Sequence, residues 1–442
     1  AGQVCELDPN NPCKTNDCCL VCSTPDKLNP YDFPPFVPHC VMGALGSKTI
    51  PMSVRHSGDI AEYNAHNLHG LMESMATRSA LTAIRGERPF LLSRSTFLGS
   101  GSYTAHWTGD NDGTWDDLAV SVITINSLGM FGIPMAGADI CGFFNTPTEE
   151  LCARWIQVGA FSPFSRTHNI NTSPPQELYR WESVAEASRM ALGLRYRLLS
   201  HLYTLMYLAH ATGTTVQNAL WVHFSNDRNT LTQDGQYMWS DTLLFTPVLQ
   251  EGSSSVEGYF PRGLWYSMIR DEMIDTTSKG AFFTLDTPLT STNVHLRGGA
   301  VLPLQQFGMT TNQVRVTPFT LLVALSGELE AEGSLFLDNG IQNELSEFTY
   351  IDYTVKDSVL SANLKNDTYS ADELSIESIV LLVPGDDVGV SCEGWFEGSS
   401  KILYSDMFMF DNFYKAVFSL DKVIPVSVYE NFRFEWNCAE DA

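Results

Sequence analysis

Two kinds of apolar pattern divide the chain near residue 213. Before it, helix-length stretches alternate with short apolar runs, and after it short runs rich in β-branched and aromatic residues alternate with turns. The first stretch, from Asp59 to about Ile84, has apolar residues at i, i+3, i+4 and i+7, the spacing of an amphipathic helix. These residues are Leu68, Leu71, Met72 and Met75. The first part of the chain is therefore predicted to be α/β and the second part all-β.

The first part repeats a strand-and-helix unit about four times. Short strands are predicted at 89–93, 105–107, 131–136 and 161–165. Further helices are predicted over 115–128, closed by Gly129, over 148–158, and over 183–211, stopping at Gly213. Thr148, followed by two acidic residues, and Ser183, three residues before Glu186 as in a capping box, are the expected starts of the last two helices.

Polar residues follow the predicted strands where each strand ends. They are Arg94, Asp110, Asp139, and Arg166 with His168. The carboxyl ends of the strands form the catalytic face of a (β/α)8 barrel, so these side chains are expected to share a site. Each has a simpler interpretation when taken singly: Gly109-Asp110-Asn111 is a turn-forming sequence, and a charged residue after a strand can cap a helix. The aromatic residues among them favour the shared site; these are Trp107, Phe143 and Phe144.

A (β/α)8 barrel has eight units, and about four are visible here. Either the sheet is open, or another polypeptide supplies the first half. The predicted fold is α/β plus all-β: the C-terminal half of a (β/α)8 barrel followed by two antiparallel β-sandwich domains. The predicted segments are a disulfide-rich barrel insertion at 1–55, the half-barrel at 56–215, a proximal sandwich at 216–308 and a distal sandwich at 309–442.

Strands of the sandwiches are predicted from alternating short runs bounded by turn residues. The runs are 243–248, 255–260, 265–269, 293–296, 317–325 and 334–337. Asp338-Asn339-Gly340 is predicted to be a hairpin turn without a functional role.

The charge of the chain narrows the range of partners. It has 51 acidic residues against 26 basic ones, a formal net charge of −25 at pH 7. Nucleic acid and anionic membrane surfaces are themselves negative, so neither is an expected partner. No apolar run has the length of a membrane span. The acidity is compatible with a neutral or cationic substrate.

Ten cysteines indicate an oxidising compartment. A cluster of six could in principle bind zinc, but it lacks a clean pair of CxxC units, so disulfides are favoured. The cluster consists of Cys5, Cys13, Cys18, Cys19, Cys22 and Cys40. Cys141 is expected to pair with Cys152, and Cys392 with Cys438.

Two sequons and the start of the chain agree with secretion. Asn171-Thr172-Ser173 and Asn366-Asp367-Thr368 are candidate glycosylation sites. The chain starts at Ala1 with neither an initiator Met nor a signal peptide, which is typical of a processing product. We expect a secreted protein, extracellular or in the cell wall or vacuole.

Several segments together resemble glycoside hydrolase family 31, in particular its α-glucosidases of the maltase type. The resemblance covers about residues 50 to 350, and it is specific because independent motifs agree in order and spacing. The matching segments are Asn64-Ala65-His66-Asn67-Leu68-His69-Gly70, 88–97, His106-Trp107-Thr108-Gly109-Asp110-Asn111, Gly137-Ala138-Asp139-Ile140-Cys141-Gly142-Phe143, 161–168 and Gly193-Leu194-Arg195-Tyr196.

This resemblance implies a retaining mechanism with two carboxyl groups, in which Asp110 is the general acid/base. The resemblance also implies a substrate site around Asp110. Arg94 and His168 would hold sugar hydroxyls, while Asp139 and Arg166 would line the same pocket. Trp107 and Phe143 would form apolar walls for the sugar ring and the next subsite. No metal and no cofactor is implied.

One departure from the family limits what this chain can do alone. The family's nucleophile is an Asp in a Trp-(Ile/Phe)-Asp-Met-Asn-Glu strand, and this motif does not occur in the chain. We therefore expect the C-terminal subunit of a proteolytically processed enzyme, whose N-terminal subunit carries the nucleophile. A second departure is Ser200, where many relatives have proline; the helix there is expected to continue with less of a break.

The expected substrate is an α-linked glucooligosaccharide such as maltose or a short α-glucan, cleaved from its non-reducing end, with transglucosylation as a variant. An α-xylosidase of the same family is one alternative. A non-catalytic carbohydrate-binding fragment is another, which the missing nucleophile favours and the complete set of Arg94, Asp110 and His168 disfavours.

Overall fold

The computed structural model describes residues 30–32, 34–37, 45, 49–370, 374–385, 390–420 and 426–440. It contains two compact units: residues 1–77 with 95–97, and residues 78–94 with 98–442. All the predicted site residues belong to the second unit. The six clustered N-terminal cysteines lie outside the described residues, and the segment boundaries predicted at 55, 215 and 308 stay predictions.

In the first unit, Glu62 is a buried carboxylate between two histidines. His56 Nε2 lies 2.5 Å from Glu62 Oε2, and His66 Nδ1 lies 2.8 Å from Glu62 Oε1. Gly70 is needed where the chain passes close to Ser95, because a Cβ atom at residue 70 would lie 2.2 Å from the Ser95 carbonyl oxygen.

The predicted helices are found near their expected positions, but the first, predicted from Asp59, is broken by a 3-10 turn before α2 begins at His69. Two residues of its predicted apolar stripe, Met72 and Met75, are exposed. Thr148 caps α4 as expected, since its hydroxyl oxygen accepts the Leu151 backbone N–H at 3.2 Å. The helices are α1 Glu62–Ala65, α2 His69–Arg85, α3 Trp115–Met130, α4 Glu149–Gly159, α5 Glu182–Arg197, α6 Leu199–Thr212 and α7 Thr311–Arg315. No helix in the described part of the chain is long and apolar enough to cross a membrane.

The helix predicted over 183–211 is two helices. The backbone leaves the helical region at Leu198, with φ −91° and ψ 1°, and Ser200 at the start of α6 donates a hydrogen bond to the Pro303 carbonyl at 2.9 Å. The chain therefore has a break two residues before Ser200, and the expectation that it is smaller than in relatives with proline stays a prediction. The capping box at Ser183 was wrong, because α5 already begins at Glu182 and the Ser183 hydroxyl donates to Glu149 instead. Gly213 does end α6, in the left-handed conformation with φ +75°.

Five short parallel strands carry the predicted polar residues. They are β1 Leu92–Ser93, β2 Ala105–Trp107, β3 Ala136–Gly137, β4 Asp139–Ile140 and β5 Arg166–Thr167. The order β1-β2-β3 forms one sheet and β4-β5 forms another, with every pair parallel. With the helices between them they give the parallel β/α arrangement predicted for the first part of the chain. That this part is the second half of a (β/α)8 barrel stays a prediction.

Two of these strands start later than predicted. The run 131–136 begins inside a helix end, where Gly132 rather than Gly129 takes the left-handed conformation with φ +80° and Ile133 N–H bonds to the Leu128 carbonyl at 2.9 Å. The run 161–165 is a turn after α4, because Phe161 N–H bonds to the Val158 carbonyl at 3.0 Å. Both apolar runs thus belong mainly to the end of the preceding helix, and strand pairing in β3 and β5 begins only after them.

The next part of the chain forms two antiparallel sheets. The strands are β6 Gln217–Asn218, β7 Tyr237–Trp239, β8 Leu243–Phe245, β9 Ser255–Phe260, β10 Leu264–Ser267, β11 Met273–Asp275, β12 Ala281–Asp286 and β13 Val294–Arg297. The larger sheet has the order β11-β10-β13-β8-β7-β6, and β12 pairs with β9. The predicted strand runs 243–248, 255–260, 265–269 and 293–296 are confirmed to within a few residues.

The remaining strands form one twelve-stranded sheet among the described residues. They are β14 Ala300–Gln305, β15 Phe319–Ala324, β16 Ala331–Leu337, β17 Thr349–Lys356, β18 Val359–Asp367, β19 Ser375–Pro384, β20 Val390–Phe396, β21 Leu403–Tyr404, β22 Asp406–Met409, β23 Phe413–Ser419, β24 Val426–Ser427 and β25 Phe432–Glu440. The order is β21-β20-β25-β18-β17-β16-β14-β15-β19-β23-β22, and β24 also pairs with β19. The prediction of a purely antiparallel sheet was wrong here. Strand β14 pairs parallel with β16, and β15 pairs parallel with β19. Cys392 and Cys438 form a disulfide between β20 and β25.

A continuous apolar core joins helices α3 to α6 to the larger antiparallel sheet, the one that contains β7 and β8. Trp239 on β7 packs against Phe161 and donates its indole N–H to the Phe161 carbonyl at 2.8 Å. Arg154 on α4 is buried and donates to four backbone carbonyls of the β region, at 2.8 to 3.2 Å. These belong to Ser253, Thr287, Pro288 and Ser291. The turn that leads into β5 is therefore anchored through Phe161 and α4 to the antiparallel region.

The turn at Asp338 has a role that the sequence did not indicate. Its carboxylate is buried and accepts hydrogen bonds from Arg88 Nη2 at 2.8 Å and from the Tyr203 hydroxyl at 2.7 Å. Arg315 lies 3.8 Å away. Arg88 precedes β1 and Tyr203 lies on α6, so Asp338 ties the start of the parallel sheet to the twelve-stranded sheet.

We predict that Asp338→Asn lowers the free energy of unfolding of the complete protein by about 2 kcal/mol, because Arg88 loses its carboxylate partner. Chemical denaturation measures this difference. Asp241→Asn is the control: it breaks an exposed pair with Arg297, 3.3 Å apart, and should cost less than about 0.5 kcal/mol.

The difference between wild type and Asp338→Asn should also depend on pH. Burial alone raises the pKa of Asp338, but the hydrogen bonds from Arg88 and Tyr203 and the charge of Arg88 outweigh burial, so the pKa lies below its usual value. Such a carboxylate contributes stability above its unfolded pKa, about 4, and loses that contribution as pH falls through the lower folded pKa. The wild-type advantage should therefore shrink below about pH 4; an advantage that persists in acid would contradict this account.

Candidate active site

The predicted site residues gather at the carboxyl ends of the parallel strands. Arg94 directly follows β1, and Asp110 lies three residues after β2. Asp139 and Arg166 are strand residues rather than residues beyond the strands, and they stand opposite each other in the register of β4 and β5. Phe143 and His168 follow in the next loops.

Asp110 and Arg94 form the outer pair of the site. Arg94 Nη1 lies 3.4 Å from Asp110 Oδ2, and the Asp110 side chain is 33% exposed. Gly109 has φ +80°, and a Cβ atom there would lie 2.6 Å from Arg94 Nε. Glycine is thus required for the turn that presents Asp110 beside Arg94. The result is an accessible carboxyl group next to a positively charged guanidinium.

Asp139 and Arg166 form the inner pair. Arg166 Nη2 donates to Asp139 Oδ1, and the Asp139 side chain is fully buried. The guanidinium also lies over the Trp107 ring, with Cζ 5.5 Å from the ring centroid, a cation–π arrangement. Burial raises the pKa of Asp139, aided by the charge of Asp110, and this outweighs the lowering effects of Arg166 and His168.

Three buried polar atoms of this inner group have no hydrogen-bond partner within the described part of the chain. They are Asp139 Oδ2, Trp107 Nε1 and Arg166 Nε. Buried polar atoms are normally hydrogen-bonded, and a ligand rich in hydroxyl groups can supply such partners. Nearby, burial and then the charge of Arg94 lower the pKa of His106 below its usual value.

Phe143 and His168 form a wall beside these pairs. Their ring centroids are 5.3 Å apart with an interplanar angle of 34°, and Phe144 meets Phe143 edge-on at 4.8 Å. A backbone hydrogen bond from Ile170 N–H to the Phe143 carbonyl, at 3.1 Å, joins their loops. The wall combines an aromatic face with an imidazole that can bond to a hydroxyl group.

Asn111 is a site residue that the sequence analysis left without a role. Its side-chain oxygen accepts the Asp139 N–H at 3.1 Å, and its Nδ2 donates to the Asp139 carbonyl at 3.3 Å. Its own carbonyl accepts the Phe143 N–H at 2.7 Å. Asn111 therefore fixes the loop of Asp110 onto both the inner pair and the aromatic wall. The only sequence signal was its position after Asp110, which also suits a plain turn.

The loop after β4 is covalently fixed to α4. Cys141 and Cys152 form a disulfide, and both are fully buried. Gly142 has φ +89°, and a Cβ atom there would lie 2.3 Å from Gly113 Cα. Asn171, in the first sequon, is exposed close to the site, and Asn366 is half-buried.

Sequence profiles of one family match two consecutive regions of the chain. The profile described as the glycosyl hydrolases family 31 TIM-barrel domain matches residues 5–205. The profile described as the glycosyl hydrolase family 31 C-terminal domain matches residues 213–302. The first match covers the parallel strands and the candidate site, and the second covers the two antiparallel sheets.

Individual proteins show the same likeness. The chain is 49% identical over 324 residues to a probable α-glucosidase of Oryza sativa subsp. japonica, covering 73% of this chain and 37% of that protein. It is 42% identical over 367 residues to α-xylosidase 1 of Arabidopsis thaliana, covering 79% of this chain and 40% of that protein.

A solved structure, the glucosidase II α subunit bound to α3-Glc2, superposes with a TM-score of 0.82 at 27% identity. This match covers 89% of the present chain and 45% of that one. The chain thus spans less than half the length of each of these three relatives. On the profiles, the relatives and the fold together, the chain belongs to glycoside hydrolase family 31.

Proposed function

We propose that this chain is the acid/base-bearing part of a retaining exo-α-glucosidase, which releases α-glucose from the non-reducing end of maltose and short α-glucans. The observation that carries the proposal is the pairing of accessible Asp110 with Arg94, 3.4 Å apart, beside the buried Asp139 and its partner Arg166. The likeness to the rice probable α-glucosidase supports the substrate class.

In the first step Asp110 donates its proton to the glycosidic oxygen, the bond from that oxygen to the anomeric carbon breaks, and a nucleophilic carboxylate bonds to that carbon. In the second step Asp110, now a carboxylate, takes a proton from water, whose oxygen displaces the enzyme carboxylate. The configuration at the anomeric carbon is retained after two inversions. Arg94 would stabilise the charged form of Asp110 between the steps. If another sugar replaces water, the same step becomes transglucosylation.

The neighbouring residues would bind the sugar in the first subsite. Arg94 and His168 would donate to hydroxyl groups, and Asp139 would accept from them through Oδ2. Arg166 holds Asp139 in place and lines the same pocket. Trp107 and Phe143 would pack against the apolar faces of the sugar rings.

The nucleophile is proposed to lie on a partner chain, the N-terminal subunit of the same proprotein. The supporting observations are the absence of the family's nucleophile motif from the sequence and the position of β1. This strand is at the edge of its sheet, pairing only with β2 among the described residues. A first half of the barrel would add its strands there, since an unpaired strand edge readily accepts another strand.

A secreted, extracellular, cell-wall or vacuolar location is proposed from the chemistry of the chain. The two disulfides, Cys141–Cys152 and Cys392–Cys438, suit an oxidising compartment. The sequons at Asn171 and Asn366 are proposed to be glycosylated, and the exposed position of Asn171 would allow it.

Two other functions have specific support. The likeness to α-xylosidase 1 of Arabidopsis thaliana favours an α-xylosidase, which differs in accepting a sugar without the hydroxymethyl group. The kcat/KM ratio for aryl α-glucoside and aryl α-xyloside decides between them. The missing nucleophile motif favours a non-catalytic carbohydrate-binding fragment, which would bind glucans without turning them over.

We predict that Asp110→Asn in the complete enzyme lowers kcat for maltose by roughly 10²- to 10⁴-fold, the usual contribution of a general acid. An aryl glucoside with a good leaving group should lose less in the first step, because that departure needs little protonation. Azide should then restore turnover of the aryl glucoside, since this anion attacks the glycosyl-enzyme without needing a base.

Asp116→Asn is the matched control, an exposed carboxylate six residues away in the first turn of α3. It should keep wild-type rates on both substrates. Unchanged maltose turnover in Asp110→Asn, or an equal loss in Asp116→Asn, would disprove the acid/base assignment.

We predict that this chain expressed alone is inactive and poorly soluble, because half a barrel exposes strand edges and apolar surface. Co-expression with the first half of the barrel domain should give a soluble complex that hydrolyses maltose. Sedimentation and a glucose-release assay measure the two outcomes. Robust activity of this chain alone would refute the split site, and a soluble but inert complex would favour the binding fragment.

A further inference from the structure

Gln176 bonds to both loops that carry the aromatic wall, and no step above uses it. The residue is buried, with 3% of its surface exposed. Its Nε2 lies 3.1 Å from the Ile140 carbonyl oxygen, 2.9 Å from that of Gly142 and 3.1 Å from that of His168. A single amide nitrogen therefore connects the loop after β4 to the loop after β5.

We propose that Gln176 is a positioning residue for the first sugar subsite, setting the place of Phe143 and His168 relative to Asp110. The proposal rests on the function proposed above and adds a residue that acts through its neighbours, without touching the sugar.

The sharp turn after β4 has two carbonyl groups, of Ile140 and Gly142, that accept hydrogen bonds from a side chain outside the turn. Cys141 and Gly142 both have positive φ, +74° and +89°, so the chain turns sharply directly after β4. Cys141 is not a glycine, and this conformation is strained for it. In that turn the carbonyls of Ile140 and Gly142 receive the Gln176 amide. A buried carbonyl left without a donor is unfavourable, so losing this amide should let the turn relax.

A chain of contacts links the Gly142 turn to the proposed acid/base, Asp110. Phe143 directly follows Gly142, and its ring lies 5.3 Å from the His168 ring. The Phe143 N–H donates to the Asn111 carbonyl at 2.7 Å, and Asn111 is the neighbour of Asp110. A shift of the Gly142 turn would therefore move the wall relative to the acid. Small displacements of positioning groups are costly to rate, because the reacting atoms must be aligned to within a fraction of an ångström.

The chemistry at this position requires an amide rather than a side chain of the same length. All three neighbours are carbonyl oxygens, so only a donor satisfies them. Glutamate would place a negative charge against three acceptors. Methionine fills a similar volume without any donor, which makes Gln176→Met the informative variant.

Gln236→Met is the matched control. Gln236 is 4% exposed and its Nε2 likewise donates, to the Thr246 hydroxyl at 2.8 Å and to the Tyr259 carbonyl at 3.2 Å. It precedes β7 in the first antiparallel sheet, and in the described part of the chain its side-chain hydrogen bonds go to Thr246 and Tyr259 rather than to site residues. Both variants lose a buried amide donor, and Gln236→Met also removes the oxygen that accepts the Tyr259 N–H at 2.7 Å, so the general loss of stability should be at least as large in the control.

The test uses the complete enzyme and two readouts. The first is amide hydrogen exchange, which does not depend on activity: Gln176→Met should speed exchange in peptides covering 140–144 and 166–170, and Gln236→Met should not. The second is kinetics: Gln176→Met should lower kcat/KM by about ten- to a hundredfold on maltose and on an aryl glucoside alike. It should also weaken inhibition by a monosaccharide iminosugar, which occupies the first subsite alone.

Equal losses on both substrates distinguish this variant from Asp110→Asn, which is more severe on maltose. Unchanged exchange in the two loops, or kinetic losses no larger than those of Gln236→Met, would overturn the positioning role. Failure of the wild-type enzyme on every glucoside would instead overturn the proposed function, and the exchange comparison would still decide whether Gln176 holds the two loops together.

Discussion

The ion pair between the buried Asp139 and the partly exposed Arg166 is the interaction on which the site depends. A fully buried carboxylate is unfavourable unless it is paired, and here the pair joins two parallel strands in register. Arg166 can reach Asp139 because the turn before β5 is held by α4 and by the core it shares with the first antiparallel sheet. Above the pair, the Trp107 ring covers the guanidinium. The pair thus fixes where β2, β4 and β5 end relative to one another.

Two side-chain amides, those of Asn111 and Gln176, hold the loops that follow these strands in place. Asn111 bonds to both backbone groups of Asp139 and so places the neighbouring Asp110 with respect to the ion pair. Gln176 joins the two loops of the aromatic wall. An acid/base must keep its distance to the sugar through two opposite proton transfers, and loops held only by their ends would not ensure that. The disulfide between Cys141 and Cys152 holds the same loop from the helix side.

Features that depend on local order along the chain could be predicted from the sequence. The helices, the parallel strand ends with Arg94, Asp110 and His168, and the switch to β-structure follow from periodicity and turn residues. Features set by distant partners could not. Asp338 looked like an ordinary turn residue because Arg88 and Tyr203, which bury it, are remote in sequence. The break at Leu198, the register of Asp139 with Arg166, and the role of Asn111 likewise depend on contacts that no local pattern encodes.

The central claim is that this chain supplies the acid/base of a retaining glucosidase whose nucleophile lies elsewhere. A fluorinated glucosyl fluoride that traps the glycosyl-enzyme tests it most directly, because the trapped sugar marks the nucleophile and not the acid. After digestion of the labelled native enzyme, mass spectrometry should find the sugar on an aspartate of the partner polypeptide and on no peptide of these 442 residues. A label on Asp110, or on any other carboxylate of this chain, would contradict the account.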